Sequence, residues 1–230
     1  MKYHIGMIPD GNRRWAKERG LNPWEGHMRG AEKGELFIEW CIDHKDISEL
    51  TVYGLSEENF KRPMKELVKL YEIYEEELTK LINNEKLHKE RVKVNIISTD
   101  VKPISPKLIP LFHRIRTETK DYENKVLNML IGYTGRSEIL SAISSPLNRF
   151  KNLLFGLSEE DLKNSLKVKT PCDFIKDFLL KLRIRSAGLL CFDLSKFPPF
   201  RQNRSHSPFK LDYIHRVKVS RIAACRCNGL

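Results

Sequence analysis

Residues 7–20 read MIPDGNRRWAKERG, bringing a carboxylate, a glycine, an amide and two guanidiniums to one corner. An apolar run ends at Pro9, Asp10-Gly11-Asn12 makes the turn, and Arg13-Arg14-Trp15-Ala16-Lys17 begins a helical pattern. Taken alone, Asp-Gly-Asn is a turn, because glycine tolerates positive φ and asparagine bonds its own backbone. Arg13 and Arg14 shift the balance, since positive charge in a first helical turn opposes the helix dipole. Their placement makes sense with an anion at the helix start, held by backbone N–H groups with Arg14 closing over it. Asp10 would repel that anion unless a hard divalent cation, Mg²⁺, bridges the two. The corner reads as a site for metal-bound diphosphate.

Three further stretches carry polar chemistry. His27, between Gly26 and Gly30, is either structural or a phosphate hydrogen-bonder and proton relay. SEENFKRP (56–63) gathers Ser56, Glu57, Glu58, Asn59, Phe60 and Arg62 before a proline. It is either a polar loop whose proline starts the next helix, or a second anion contact through Arg62 with Asn59 polarising an uncharged group. Arg136, in YTGRSE, is a turn residue or a third cation. No nucleophile–base triad and no Walker-type phosphate loop is visible, so the chemistry is positioning and charge stabilisation with diphosphate as leaving group.

The elements that must position these residues are legible as alternating periods. YHIGMI (3–8), ELTVYGL (49–55), RVKVNII (91–97) and VLNMLIGY (126–133) read as strands. Helical patterns cover 30–44, 64–83, part of 106–121 and 137–143, and Ser158 is placed to cap one more. The alternation predicts an α/β fold: a single domain with a central, mainly parallel β-sheet flanked by helices on both faces. In such sheets ligands bind beyond the carboxyl ends of the strands, which is where Asp10, Ser56–Arg62 and Arg136 fall. The apolar stripe of 64–83 (Met64, Leu67, Val68, Tyr71, Tyr74, Leu78, Leu81 and Ile82) has helical spacing and is most simply core against the sheet.

At 230 residues the chain can bury a substantial core. No apolar run approaches the roughly 20 residues of a membrane span, and MKYHIGMI reads as strand rather than signal peptide. The five cysteines lack zinc-type pairing, so free thiols in a reducing cytoplasm are expected. Net charge is +11, of which +6 lies in 201–230. The expected organisation is a catalytic domain over 1–200 and a basic, atypical tail over 201–230. That tail leaves open a nucleic-acid- or anionic-membrane-binding reading, which would not explain the polar corners.

Together, HIGMIPDGNRRWAKERG, GHMRGAEKG, LTVYGLSEENFKRP and LNMLIGYTGRSEIL resemble the cis-prenyltransferase (undecaprenyl diphosphate synthase) family over about residues 4–143. The resemblance implies a single α/β domain, usually dimeric, that condenses isopentenyl diphosphate onto an allylic prenyl diphosphate with Z stereochemistry and Mg²⁺. The product is a polyprenyl diphosphate, and nucleic acid is not a partner; the resemblance also implies that the 64–83 region lines a tunnel for the growing chain, making Leu67 or Tyr71 a candidate to face it. Localisation would be cytoplasmic, with peripheral membrane contact for the product. By the same resemblance Asp10 is the metal and catalytic carboxylate. Gly11, Asn12, Arg13, Arg14 and His27 cradle the allylic diphosphate, and Trp15 lies by the tunnel entrance. Ser56, Asn59, Phe60 and Arg62 form the loop that closes over the substrates and assists proton loss, and Arg136 matches the arginine of the fourth block.

Several positions depart from the pattern. Pro9 replaces a common methionine, Pro23 a diphosphate-contacting arginine, and Phe60 a tryptophan; Gly132 and Thr134 replace the asparagine and first glycine of the fourth block. After TPCDFI (170–175) the pattern thins to RIRSAG (183–188), leaving Arg183, Arg185 and Ser186 as isopentenyl diphosphate candidates. No glutamate follows Glu160, so both glutamates the family carries there are missing. An alternative expectation is therefore a catalytically weak or inactive cis-prenyltransferase-like subunit.

Overall fold

The computed structural model describes residues 2–143 and the strand Ile222–Cys227. β1 (Lys2–Met7) leads through the Asp10 corner into α1 (Asn12–Lys17) and the long α2 (Pro23–Asp43). Then come β2 (Ile47–Ser56), a 3₁₀ turn (Glu57–Lys61), α3 (Met64–Ile82) and α4 (Glu85–Lys89). β3 (Val92–Ile97), α5 (Leu108–Thr119), β4 (Lys125–Tyr133), α6 (Gly135–Ile143) and β5 (Ile222–Cys227) complete the described chain. The sheet order is β3-β4-β2-β1-β5, with the first four strands parallel and β5 antiparallel to β1. The mainly parallel α/β sheet read from the sequence is the observed one.

α2 starts seven residues earlier than its periodicity suggests. Asn22 and Glu25 form a capping box, the Asn22 N–H donating to Glu25 Oε2 at 2.8 Å, and Pro23 occupies the first turn. His27 thus sits a full turn inside the helix. At the other end Lys125 Nζ donates to the carbonyls of Cys41, Ile42 and His44 at 3.0, 2.6 and 2.7 Å. A side chain from β4 thereby satisfies orphan carbonyls at the end of α2.

Alternate residues of the strands face one large core. Ile5 and Met7, Leu50 and Val52, Val92 and Val94, and Leu127 and Met129 pack with Phe37 and Trp40 of α2, Leu70 and Leu78 of α3, and Phe112 and Ile115 of α5. The opposite set is polar and also buried: His4, Glu49, Thr51 and Asn128. His4 Nε2 lies 2.8 Å from Thr51 Oγ1, Asn128 Nδ2 donates to Glu49 Oε1 at 2.6 Å, and Asn95 Nδ2 donates to Asn128 Oδ1 at 2.9 Å. This ladder crosses all four parallel strands.

Part of the basic, atypical tail over 201–230 adds to the sheet: Met7 pairs with Ile222 and Lys2 with Cys227. The Ser158 cap, Arg183, Arg185 and Ser186 lie outside the described residues.

Candidate active site

Because β4, β2 and β1 are parallel neighbours, their carboxyl ends open side by side on one rim. Gly11 begins α1 at φ 94°, a left-handed conformation that suits glycine and lets the chain turn from Asp10 into the helix. Gly11 N–H donates to Asp10 Oδ1, and Gly11 O accepts from Trp15 N–H at 2.9 Å. α1 lies close against α2 because Gly26 and Gly30 have no side chains. A methyl on Gly26 would fall 2.1 Å from Asn12 O, and one on Gly30 2.4 Å from Asn12 Nδ2. The Asp10 corner is thereby clamped to the face of α2 that carries His27.

Arg13, His27 and Arg62 converge on a residue that the sequence reading passed over, Glu66. Its carboxylate is 4% exposed and lies 3.4 Å from Arg13 Nε, 3.1 Å from His27 Nε2 and 3.5 Å from Arg62 Nη1. Arg62 Nη1 is also 3.2 Å from His27 Nε2. Burial lowers the affinity of His27 for a proton, the Glu66 hydrogen bond opposes that, and Arg62 and Arg13 add to the lowering. Burial also lowers Arg62 from its ordinary value. An acid in a first helical turn is a favourable dipole partner, so nothing in the sequence marked Glu66 as unusual.

Arg13 reaches this cluster from α1; Arg14, expected to close over the anion, follows it in the helix and is exposed, as Arg13 is. Trp15 does not line the cleft described below; its ring lies under the Arg19 guanidinium at 4.5 Å. Ser56 and Asn59 cap the 3₁₀ turn reciprocally, Asn59 Oδ1 accepting from Ser56 N–H at 3.1 Å. Phe60 packs against the main core. Arg136 is exposed in the first turn of α6.

Glu57, whose part the sequence did not separate from its neighbours, ties the segments after β2, β3 and β4 together. It accepts from Thr99 Oγ1 at 2.7 Å and from Ser137 Oγ at 3.0 Å, while Thr99 Oγ1 accepts from Thr134 N–H. Gly132, where the family pattern has asparagine, sits at φ 63°, and a methyl there would meet Asp100 O at 2.5 Å.

Behind the rim runs a cleft between α2 and α3 and over β1, β2 and β4. Asn12, His27, Asn59 and Arg62 line its polar end. Met7, Ile38, Val52, Leu55, Leu70, Ile73, Leu78 and Met129 line its length, and Glu35, Glu39, Glu77, Lys80 and Asn84 its far end. Burial and the neighbouring Glu77 push the Glu35 carboxyl up. The expectation for Leu67 and Tyr71 fails: neither lines the cleft, Leu67 being buried elsewhere and the Tyr71 hydroxyl donating to Pro103 O. The α3 face turned to the cleft is Leu70, Ile73, Tyr74, Leu78 and Leu81; it shares Tyr74, Leu78 and Leu81 with the stripe read in the sequence and adds Leu70 and Ile73, while the stripe's Met64 and Val68 are exposed.

A cationic, half-buried mouth on an apolar cleft defines a site for an amphiphile with an anionic head. Residues 8–196 match the family model described as putative undecaprenyl diphosphate synthase. The chain belongs to this family, the cis-prenyltransferases, whose class of enzyme is a cis-polyprenyl diphosphate synthase. It is 41% identical to the tritrans,polycis-undecaprenyl-diphosphate synthase (geranylgeranyl-diphosphate specific) of Pyrococcus abyssi, over 94% of this chain and 82% of that one. It is 39% identical to the protein of the same name from Methanopyrus kandleri, over 61% of this chain; there it spans about half (51%) of the relative's length. The family match runs past residue 175, beyond which the sequence pattern thins. Among solved structures, lavandulyl diphosphate synthase from Lavandula x intermedia shares the fold at TM-score 0.60 and 23% identity, over 70% of this chain and 69% of that one.

Proposed function

We propose that this chain condenses isopentenyl diphosphate onto an allylic prenyl diphosphate to build a Z-polyprenyl diphosphate. The observation that carries this reading is the convergence of Arg13, His27 and Arg62 at the polar end of a cleft whose length is apolar. The allylic C–O bond breaks, and its electron pair leaves with the diphosphate. The isopentenyl double bond attacks the allylic carbon, and a proton is lost. Arg13, Arg62 and His27 stabilise the departing charge, Asn59 faces the same mouth to orient the isopentenyl group, and the apolar walls keep water from the cation. The names of the archaeal relatives support geranylgeranyl diphosphate as the primer. They also favour the catalytic reading over a non-catalytic subunit.

Among the described residues no group of three or more His, Cys, Asp or Glu side chains could hold a metal ion alone. Asp10, an exposed hard-oxygen donor at the rim, fits Mg²⁺ in the way that ion is usually held, by one or two carboxylates and substrate phosphates. Bound there, Mg²⁺ would neutralise charge on the leaving diphosphate. Arg14, Trp15, Ser56, Phe60 and Arg136, with Arg183, Arg185 and Ser186, complete the proposed substrate site. A homodimer with peripheral membrane contact is part of the same proposal; among the described residues no helix is long and apolar enough to cross a membrane. The test is incubation with labelled isopentenyl diphosphate, Mg²⁺ and geranylgeranyl, farnesyl or dimethylallyl diphosphate, with products resolved by length. Long products primed by geranylgeranyl diphosphate are expected, and no incorporation with any primer would overturn the reading.

A further inference from the structure

The cations at the cleft mouth are gathered by a residue that the proposed chemistry does not use. Arg13 comes from α1, His27 from α2 and Arg62 from the segment before α3, and all three reach the same oxygen, Oε1 of Glu66. Arg13 and Arg62 repel each other across the mouth, and Arg62 is itself half-buried. Two like charges held this close need a counter-charge, and a buried carboxylate is costly unless it is paired. His27 Nε2 lies between Glu66 and Arg62, at 3.1 and 3.2 Å. With its proton it donates to Glu66, and without it it accepts from Arg62, so the imidazole is held in either state.

We propose that Glu66 is a positioning residue for diphosphate binding. Its carboxylate holds Arg13, Arg62 and His27 convergent before substrate arrives, so that the diphosphate meets an assembled cage. This rests on reading the mouth as the diphosphate site, and it carries a sign that separates it from simple electrostatics. Removing a negative charge beside a bound polyanion should tighten binding. Removing the group that orders three of the polyanion's partners should weaken it, because their ordering then has to occur on binding.

The test titrates the full chain with inorganic pyrophosphate and Mg²⁺ by calorimetry, with the melting transition as the check of folding. Glu66→Gln is expected to weaken binding at least tenfold. Glu66→Asp keeps the charge but withdraws the oxygen by one methylene, and an intermediate loss is expected. After Arg13→Gln, the further effect of Glu66→Gln should shrink, because part of its action passes through Arg13. In turnover, KM for the allylic diphosphate should rise while KM for isopentenyl diphosphate stays, a split that general loss of structure would not produce. Unchanged or tighter pyrophosphate binding by Glu66→Gln overturns the proposal. If that variant does not fold, parental affinity in Glu66→Asp overturns it instead. Failure of the parent chain to bind pyrophosphate would sink the diphosphate reading itself, which keeps the two failures apart.

Discussion

Asp10 and the arginines beside it carry opposite charges to the same rim. A diphosphate at the mouth is attracted by Arg13 and Arg62 and repelled by Asp10, so Asp10 is useful to catalysis only through a cation. Asp10→Ala should therefore leave the fold intact and remove Mg²⁺-dependent turnover. A loss of about a hundredfold or more is expected for charge stabilisation of this kind. Incorporation of labelled isopentenyl diphosphate, read beside the melting transition, checks it; turnover within a few-fold of the parent would refute the metal assignment. Glu66 belongs to the same scale with a different part, since it touches the arginines rather than the substrate.

Among the elements, α2 does two jobs with three glycines one turn apart, Gly26, Gly30 and Gly34. The first two admit α1 to close contact, and the third has nothing within 4 Å of the place a methyl would occupy, while lining the cleft. Gly26→Ala meets a backbone carbonyl that no rotamer change can move, and overpacking of this sort costs about 1–3 kcal/mol. A lower melting temperature and weaker pyrophosphate binding should appear together, because α1 carries Arg13. Gly34→Leu should do the opposite to stability. Leucine is a better helix former than glycine by up to about 1 kcal/mol, so the melting temperature should hold or rise. Its side chain would enter the apolar part of the cleft, and the products should shorten. Identical product lengths in a folded Gly34→Leu would show that the growing chain does not pass α2 there.

At the level of the whole molecule, the polar ladder on the second face of the sheet makes stability depend on pH. Burial pushes Glu49 from 4.5 up to about 7 and His4 from 6.5 down to about 3. Though His4 Nδ1 is 3.3 Å from Glu49 Oε2, burial favours the neutral form of both, so they make a neutral pair rather than an ion pair near pH 6. Folded Glu49 keeps a proton that the unfolded chain releases above 4.5, so its effect lowers stability as pH rises towards 7. Folded His4 lacks a proton that the unfolded chain holds below 6.5, so its effect raises stability between 3 and 6.5. The two slopes cancel between about 4.5 and 6.5. Urea midpoints should rise from pH 3 to 4.5, stay level to about 6.5, and fall towards 7 and just above. Glu49→Gln should abolish the level stretch and the fall, a difference of up to about 3 kcal/mol at neutral pH. A fall that survives the substitution would place its origin elsewhere.

The four parallel strands and the helices other than α4 from residue 3 to 143 were legible because they rest on local periodicity and on local signals such as Asp10-Gly11-Asn12. So was the rim, because parallel strands must end on one side and the polar residues follow their ends. The start of α2 was missed because its capping box, Asn22 with Glu25, precedes the apolar pattern by two turns. The cleft face of α3 was legible only in part, through Tyr74, Leu78 and Leu81, because periodicity gives a stripe without saying which part of it meets the sheet, the cleft or solvent. Leu70 and Ile73 took the cleft, while Met64 and Val68 faced outward. By itself the sequence determined the α/β class, the polar corners and the diphosphate chemistry they suit, since each follows from neighbours along the chain. Only the tertiary structure decided that Glu66 gathers Arg13, His27 and Arg62, and that His4, Glu49, Asn95 and Asn128 share one buried ladder. Apart from Arg62 with Glu66, four residues away, those contacts join residues tens of positions apart, and a charge placed by helix and strand packing leaves no trace in the spacing of its own segment.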